Sequence, residues 1–415
     1  MKMTSTRTRL FAMIVVCTAL LQSCLKDTAT RTYTMYTPVY KSVAEVRSDI
    51  KIDASTPVIN PGKIFVLGKY IFLNEVDKGV HVIDNTNPAS PVNKYFIAIP
   101  GNLDLAVKGN ILYADLYRDL VTIDISDPAD VRVKKIIENV FPRRQYLNGF
   151  WADSTRIIVD WIKKDTTVRA DQNNFVFDSR SMFSFNSTQG AMASAAVTRG
   201  ISGSMARFTL LNNYLYTVTN SNLNVFNISQ PENPVFTNTV PVGWEIETIY
   251  PFKNNLFIGS QTGMFIYNTD NPSTPTKVSV FSHLRVCDPV IADDDFAYVT
   301  LRSGTRCQGF QNQLDIVAIQ NLQAPTLIKS YPLTNPHGLS KDGNTLFICD
   351  GDAGLKVFDA AKATGLKLLK TIGGITAYDV ITQNNIAMVV ATDGLYQYDY
   401  SNLANITLKS KISYK

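Results

Sequence analysis

Histidine is nearly absent from this 415-residue chain: His81, His283 and His337 are the only three, too widely spaced for a His-rich metal site. No Gly-x-Ser-x-Gly, Gly-Lys-Ser phosphate loop, His-Glu-x-x-His or Cys-x-x-Cys occurs, so the common hydrolase, nucleotide, metalloprotease and redox signatures are missing. Asp293-Asp294-Asp295 and Asp350-Gly351-Asp352 lack the full ligand spacing of a calcium loop and read as polar hairpin turns. No cofactor or metal is expected. Lys and Arg nowhere cluster, which leaves no electrostatic footprint for nucleic acid. Past residue 24 no apolar run is long enough to cross a bilayer. Helical periodicity is also scarce there, apart from a short stretch near residues 42–50.

The N-terminus has what the rest lacks. Lys2, Arg7 and Arg9 precede an apolar run from Leu10 to Leu21, the layout of a secretory signal peptide. The ending Leu21-Gln22-Ser23-Cys24 resembles a bacterial lipobox, which makes Cys24 the expected lipidated first residue and residues 1–23 the signal. Residues 24–58 are then a tether with a short docked element, and Lys26-Asp27 resembles the charged export tags of surface-exposed lipoproteins. Loss of the leader's three basic residues, unaccompanied by any acid, lowers the net charge from +5 to +2. The expected address is the outer membrane of a bacterial envelope, with a lipid anchor as one partner. Such a compartment permits disulfides, and Cys287 and Cys307, at the same end of a predicted hairpin, are paired on that ground. Cys349, in the run Leu346-Phe347-Ile348-Cys349, reads as a small buried hydrophobe.

Self-similarity organises the remainder. Gly79-Val80-His81-Val82-Ile83-Asp84 with Asn85-Thr86-Asn87-Pro88 recurs as Leu120-Val121-Thr122-Ile123-Asp124 with Ile125-Ser126-Asp127-Pro128, and again at Leu223 to Pro231. Taking the Asp84 position as marker gives 84, 124, 227, 268, 318, 359 and 399, at intervals of 40, 103, 41, 50, 41 and 40. The long interval fits two units plus an insertion, with Ile157-Ile158-Val159-Asp160-Trp161 as a degenerate copy. Each unit reads as four short strands separated by Gly-Asn, Asp-Gly and Asn-Pro turns. Four-stranded units of this length predict an all-β fold, a β-propeller over 59–415 with about eight blades, seven being the alternative. Residues 171–204, rich in Ser, Ala, Gly and Asn, read as a mobile or irregular excursion.

The strand ending in Asp and followed by Ile-Ser-x-Pro resembles the LVIVD-repeat lipoproteins of Gram-negative bacteria. So do Cys287-Asp288-Pro289-Val290 with Tyr298-Val299-Thr300-Leu301-Arg302, and Asn335-Pro336-His337-Gly338 through Cys349-Asp350-Gly351-Asp352. The resemblance spans about 63–415. It implies an outer-membrane or cell-surface propeller and adds no chemistry.

Aligning the repeats yields one constellation. Nine or ten residues before the aromatic-type position of each second strand stand Lys63, Asp104, Asn148, Arg207, Glu247, Asp288, His337 and Asp379, all polar or ionisable. Innermost strands begin at one end of the axial channel, so these eight are expected to ring its mouth, where a ligand meets converging side chains. The leading expectation is a non-catalytic binding lipoprotein with a glycan, peptide or protein ligand. Two rivals stand beside it: a hydrolase or lyase using the same acids, and a structural subunit of an outer-membrane complex.

Overall fold

The computed structural model describes residues 30–142, 144, 155–169, 190–191, 201–282, 289–303 and 312–415. Two compact units separate. Of the smaller, composed of residues 1–40, 145–151 and 158–184, the described part is built from the long strands Thr30–Ser42 and Arg156–Arg169, paired as a two-stranded sheet. Within it the Thr32 and Thr167 hydroxyls meet at 2.8 Å and Thr34 donates to Asp165 at 2.7 Å.

The larger unit is a β-propeller. Its described residues form seven blades at 61–98, 105–137, 208–241, 246–282, 290–332, 339–372 and 377–413, each with four antiparallel strands in chain order. Seven, not eight, follows from the fate of the degenerate copy. Ile157 to Trp161 lies on Arg156–Arg169, whose sheet partner is Thr30–Ser42 and not a neighbouring blade strand. No Pro turn of the repeat type follows that copy before Pro231.

Blades pack face to face, which explains the apolar runs. Strand Gly79–Asp84 is buried except at its last residue, and Ile111–Leu116 is buried throughout, because neighbouring blades cover both faces. Outer strands such as Thr326–Pro332 are largely exposed. The repeat's Asp is a turn former: Asp84, Asp124, Asp359 and Asp399 accept from the backbone N–H two residues on at 2.9 Å. A lysine of the following strand closes on three of these carboxylates, Lys94 on Asp84, Lys134 on Asp124 and Lys409 on Asp399. Every blade also shifts register between its third and fourth strands, a recurrent bulge on the fourth strand just after that turn.

The repeat's other marks meet across blades. Tyr113 donates to the Pro231 carbonyl at 2.8 Å and Tyr216 to that of Pro272 at 2.7 Å, so the aromatic of one blade reads the Pro turn of the next. Ahead of the first blade, Ser42 caps a short helix, Val43–Ser48, with a capping box. Arg47 on that helix forks onto Asp119 and reaches Glu138, and Lys51–Ala54 adds a fifth strand outside the first blade. Among the described residues no helix is long and apolar enough to cross a membrane.

Candidate functional site

Acids that end the second strands fix the loops leading into the blades. Glu75 accepts from the backbone N–H of Ile59 and Asn60, Asp115 from Leu103 and Asp104, and Asp350 from Thr334 and Asn335. Asp350 thus caps a loop, and Asp293 accepts from the N–H of Asp295 and Phe296 within its own turn. Among the described residues no group of three or more His, Cys, Asp or Glu could hold a metal ion.

These loops deliver six of the eight aligned residues to one cluster. Lys63, Asp104, Glu247, His337 and Asp379 are buried and Arg207 is half-buried. Asn148 and Asp288 lie outside the described residues, as do Cys287 and Cys307. Lys63 feels Asp104, Asp379 and Glu247 as attractive charges and Arg207 as a repulsive one. At Glu247 the pairing steps from Ile246↔Ser260 to Thr248↔Gly259, a one-residue bulge.

Three residues outside the alignment complete the site. Gln261 donates to Glu247 at 3.0 Å, Arg302 sits within electrostatic reach of Glu247 and His337, and the Tyr378 ring meets His337 edge-on at 5.0 Å. Burial raises the pKa of Glu247, with the Gln261 hydrogen bond and Arg302 opposing it. Burial, helped by Arg302, drives His337 down to about 3, so its imidazole is neutral. His337 Nε2 and Arg207 Nε are buried with no hydrogen-bond partner among the described residues. Arg302 closes the repeat-like stretch Tyr298-Val299-Thr300-Leu301-Arg302 in the sequence. Gln261 and Tyr378 carried no signal.

The sequence reading expects an accessible mouth, and here the structure differs. Strand Ile201–Ser202 pairs antiparallel with the innermost strand of the first blade, Ile201 opposite Val66 and Ser202 opposite Phe65. Beyond it Gly203 N–H donates to Ile64 at 2.9 Å, Ser204 Oγ accepts from Leu339 N–H of the sixth blade at 2.6 Å, and the Ala206 carbonyl accepts from Ile249 of the fourth at 2.9 Å. One segment bonded to innermost strands of three blades occupies the axial channel. Strand Ser204–Met205 pairs in turn with Gly190–Ala191. The described parts of the 171–204 stretch are therefore strands, and they lie against Lys63 and Asp379.

The LVIVD repeat family matches residues 61–96 and 102–138, the first two blades. No curated protein matches the chain. Among solved structures, a protein from Lactobacillus plantarum is similar at 13% identity and a TM-score of 0.54, over 85% of this chain and 96% of that one. A periplasmic gluconolactonase from Pseudomonas aeruginosa is similar at 11% identity and a TM-score of 0.52, over 84% and 95%. At such identities the likeness concerns the fold. Repeat period, blade architecture and family match agree, and the chain is a β-propeller whose first two blades are LVIVD repeats.

Proposed function

We propose that this propeller is a non-catalytic, lipid-anchored binding protein of the bacterial envelope that takes a glycan, peptide or protein partner at the channel mouth. The observation that carries the reading is the unpartnered polar pair, His337 Nε2 and Arg207 Nε, in the same cluster as Glu247 and Arg302. Buried donors and acceptors without partners are costly, and a ligand that supplies partners recovers the cost. The signal and Cys24 support the anchor, and Cys24→Ala should move the protein from membranes to the soluble fraction.

Binding is tested by screening that soluble variant against glycan and peptide panels and repeating each hit with Arg302→Ala and Glu247→Gln. Loss of affinity by tenfold or more, with unchanged melting, supports the site. Equal binding by both variants would place the ligand elsewhere.

A second reading, a hydrolase or lyase, draws on the raised Glu247 carboxyl beside Arg302 and a neutral imidazole. It requires turnover of a bound hit that Glu247→Gln abolishes while binding persists.

A further inference from the structure

Residues 201–207 belong to no blade, yet they are bonded to blade strands at almost every step. Besides the bonds to Ile64, Leu339 and Ile249, three buried ionic side chains close on this segment. Lys63 Nζ donates to the Met205 carbonyl at 2.8 Å, Asp104 accepts from the Arg207 N–H, and Asp379 Oδ1 faces Ser204 Oγ at 3.5 Å. Residues 202–206, Ser-Gly-Ser-Met-Ala, bring little apolar surface, whereas the blades carry their own cores of Ile, Val, Leu, Phe and Tyr. We propose that residues 201–207 form a displaceable plug, an internal strand latched into the channel by Lys63, Asp104 and Asp379, whose release leaves the seven blades folded.

The latch is made of strained charges. Around Lys63 stand Asp104, Asp379, Glu247 and Arg207, and Cys349 adjoins Asp379. Asp379 Oδ2 has no hydrogen-bond partner among the described residues. Burial pushes Asp379 up to about 7, with Lys63 opposing and Asp104 adding to the rise, and burial lowers Lys63 to about 8. With the plug out, water returns both groups toward their ordinary values, near 4 and 10.4. Between pH 4 and 7 the latched form keeps a proton on Asp379 that the released form has lost, so the plug loosens as pH rises through that window. Buried Asp104 and Glu247, also raised, act in the same direction. Above about 8, Lys63 gives up its proton more readily when latched, and the plug tightens again. The latch is weakest at pH 7 to 8.

Hydrogen exchange of the whole chain, corrected for intrinsic rates, reads this directly at pH 5, 6, 7 and 8. The Gly203 and Arg207 amides should lose protection between pH 5 and 7 by up to about tenfold per pH unit, while amides of the blade strand Gly79–Asp84 hold theirs. Asp379→Asn, neutral at every pH, should make the dependence shallower, leaving only what Asp104 and Glu247 contribute. Plug and blade amides that exchange together, or plug protection in the wild-type chain that ignores pH, would overturn the proposal without recourse to a variant.

Discussion

Asn85, in the turn after the first blade's third strand, and Gln397, on the third strand of the seventh, exchange amide hydrogen bonds of 2.9 and 2.6 Å across 312 residues. The first and last blades each draw their four core strands from one end of the chain, so no strand exchange closes the circle. Closure rests on this amide pair, on Ser410 donating to the Pro88 carbonyl at 2.6 Å, and on Lys415 N–H donating to Val58 at 2.9 Å, over a continuous apolar contact. The seam has the same outer-strand-to-turn geometry as the other blade junctions, where Lys370 donates to Ile406 and Lys329 to Thr364.

Gln397→Leu should accordingly cost about 1–3 kcal/mol, because it strands the Asn85 amide in a partly buried seam. Adding Asn85→Leu should recover part of that loss, since removing both partners is cheaper than removing one. Denaturant unfolding of the two variants checks this. A single mutant as stable as the wild-type chain would show that the seam is held by packing alone.

Acid should attack the turns between third and fourth strands. The Ser126 backbone N–H, with Lys134 next, holds the Asp124 carboxyl down at about 2, and the Thr86 and Lys94 partners of Asp84 act alike. A carboxylate whose folded pKa is depressed contributes stability above its unfolded value near 4, and that contribution is lost as pH falls through the folded value. Stability should therefore decline between pH 4 and 2, and Asp124→Asn should decline less over that range. Melting curves of the two proteins in acid decide the matter.

The repeat was legible because three local rules coincide in it: apolar alternation, the Asp that caps its own turn, and the Pro that receives the preceding blade's Tyr. The mouth cluster was legible for a related reason, since strand starts repeat with the blades to within one residue. One feature misled. Ile157 to Trp161 has the composition of a blade strand but pairs with Thr30–Ser42, outside the blades. The Ser, Ala and Gly of the excursion satisfy a loose loop and a narrow channel equally, and composition does not tell them apart. Arg302 and Tyr378 reach His337 from other blades, a juxtaposition no spacing encodes.

Cys287 and Cys307 should form a disulfide if the chain is exported as proposed. Such a bridge closes a loop of roughly 20 residues and contributes on the order of 3 kcal/mol if unstrained. Mass spectrometry of the unreduced chain should find the linked peptide, with Cys349, a buried free thiol, unalkylated until the protein unfolds. Recovery of freely alkylated Cys287 and Cys307 would exclude the bridge.

The channel strand gives the sharpest steric test. A Cβ at Gly203 would lie 2.1 Å from Asp379 Oδ2 and 3.0 Å from Ile64 Cγ2, while one at Gly338 would lie 2.2 Å from Asp379 Oδ1. The carboxylate is thus wedged between two glycines, and its Oδ1 is further fixed by the Val380 N–H at 3.0 Å. Gly203→Ala should cost about 1–3 kcal/mol through overpacking, as plug and carboxylate cannot both keep their places. Asp379→Ala opens the space, so in the double variant the added methyl should be tolerated better than in the wild-type background. A coupling of about 0.5–3 kcal/mol in that cycle, measured by denaturant unfolding, is the expected signature of direct contact. Strict additivity would mean that residue 203 and Asp379 do not touch in solution.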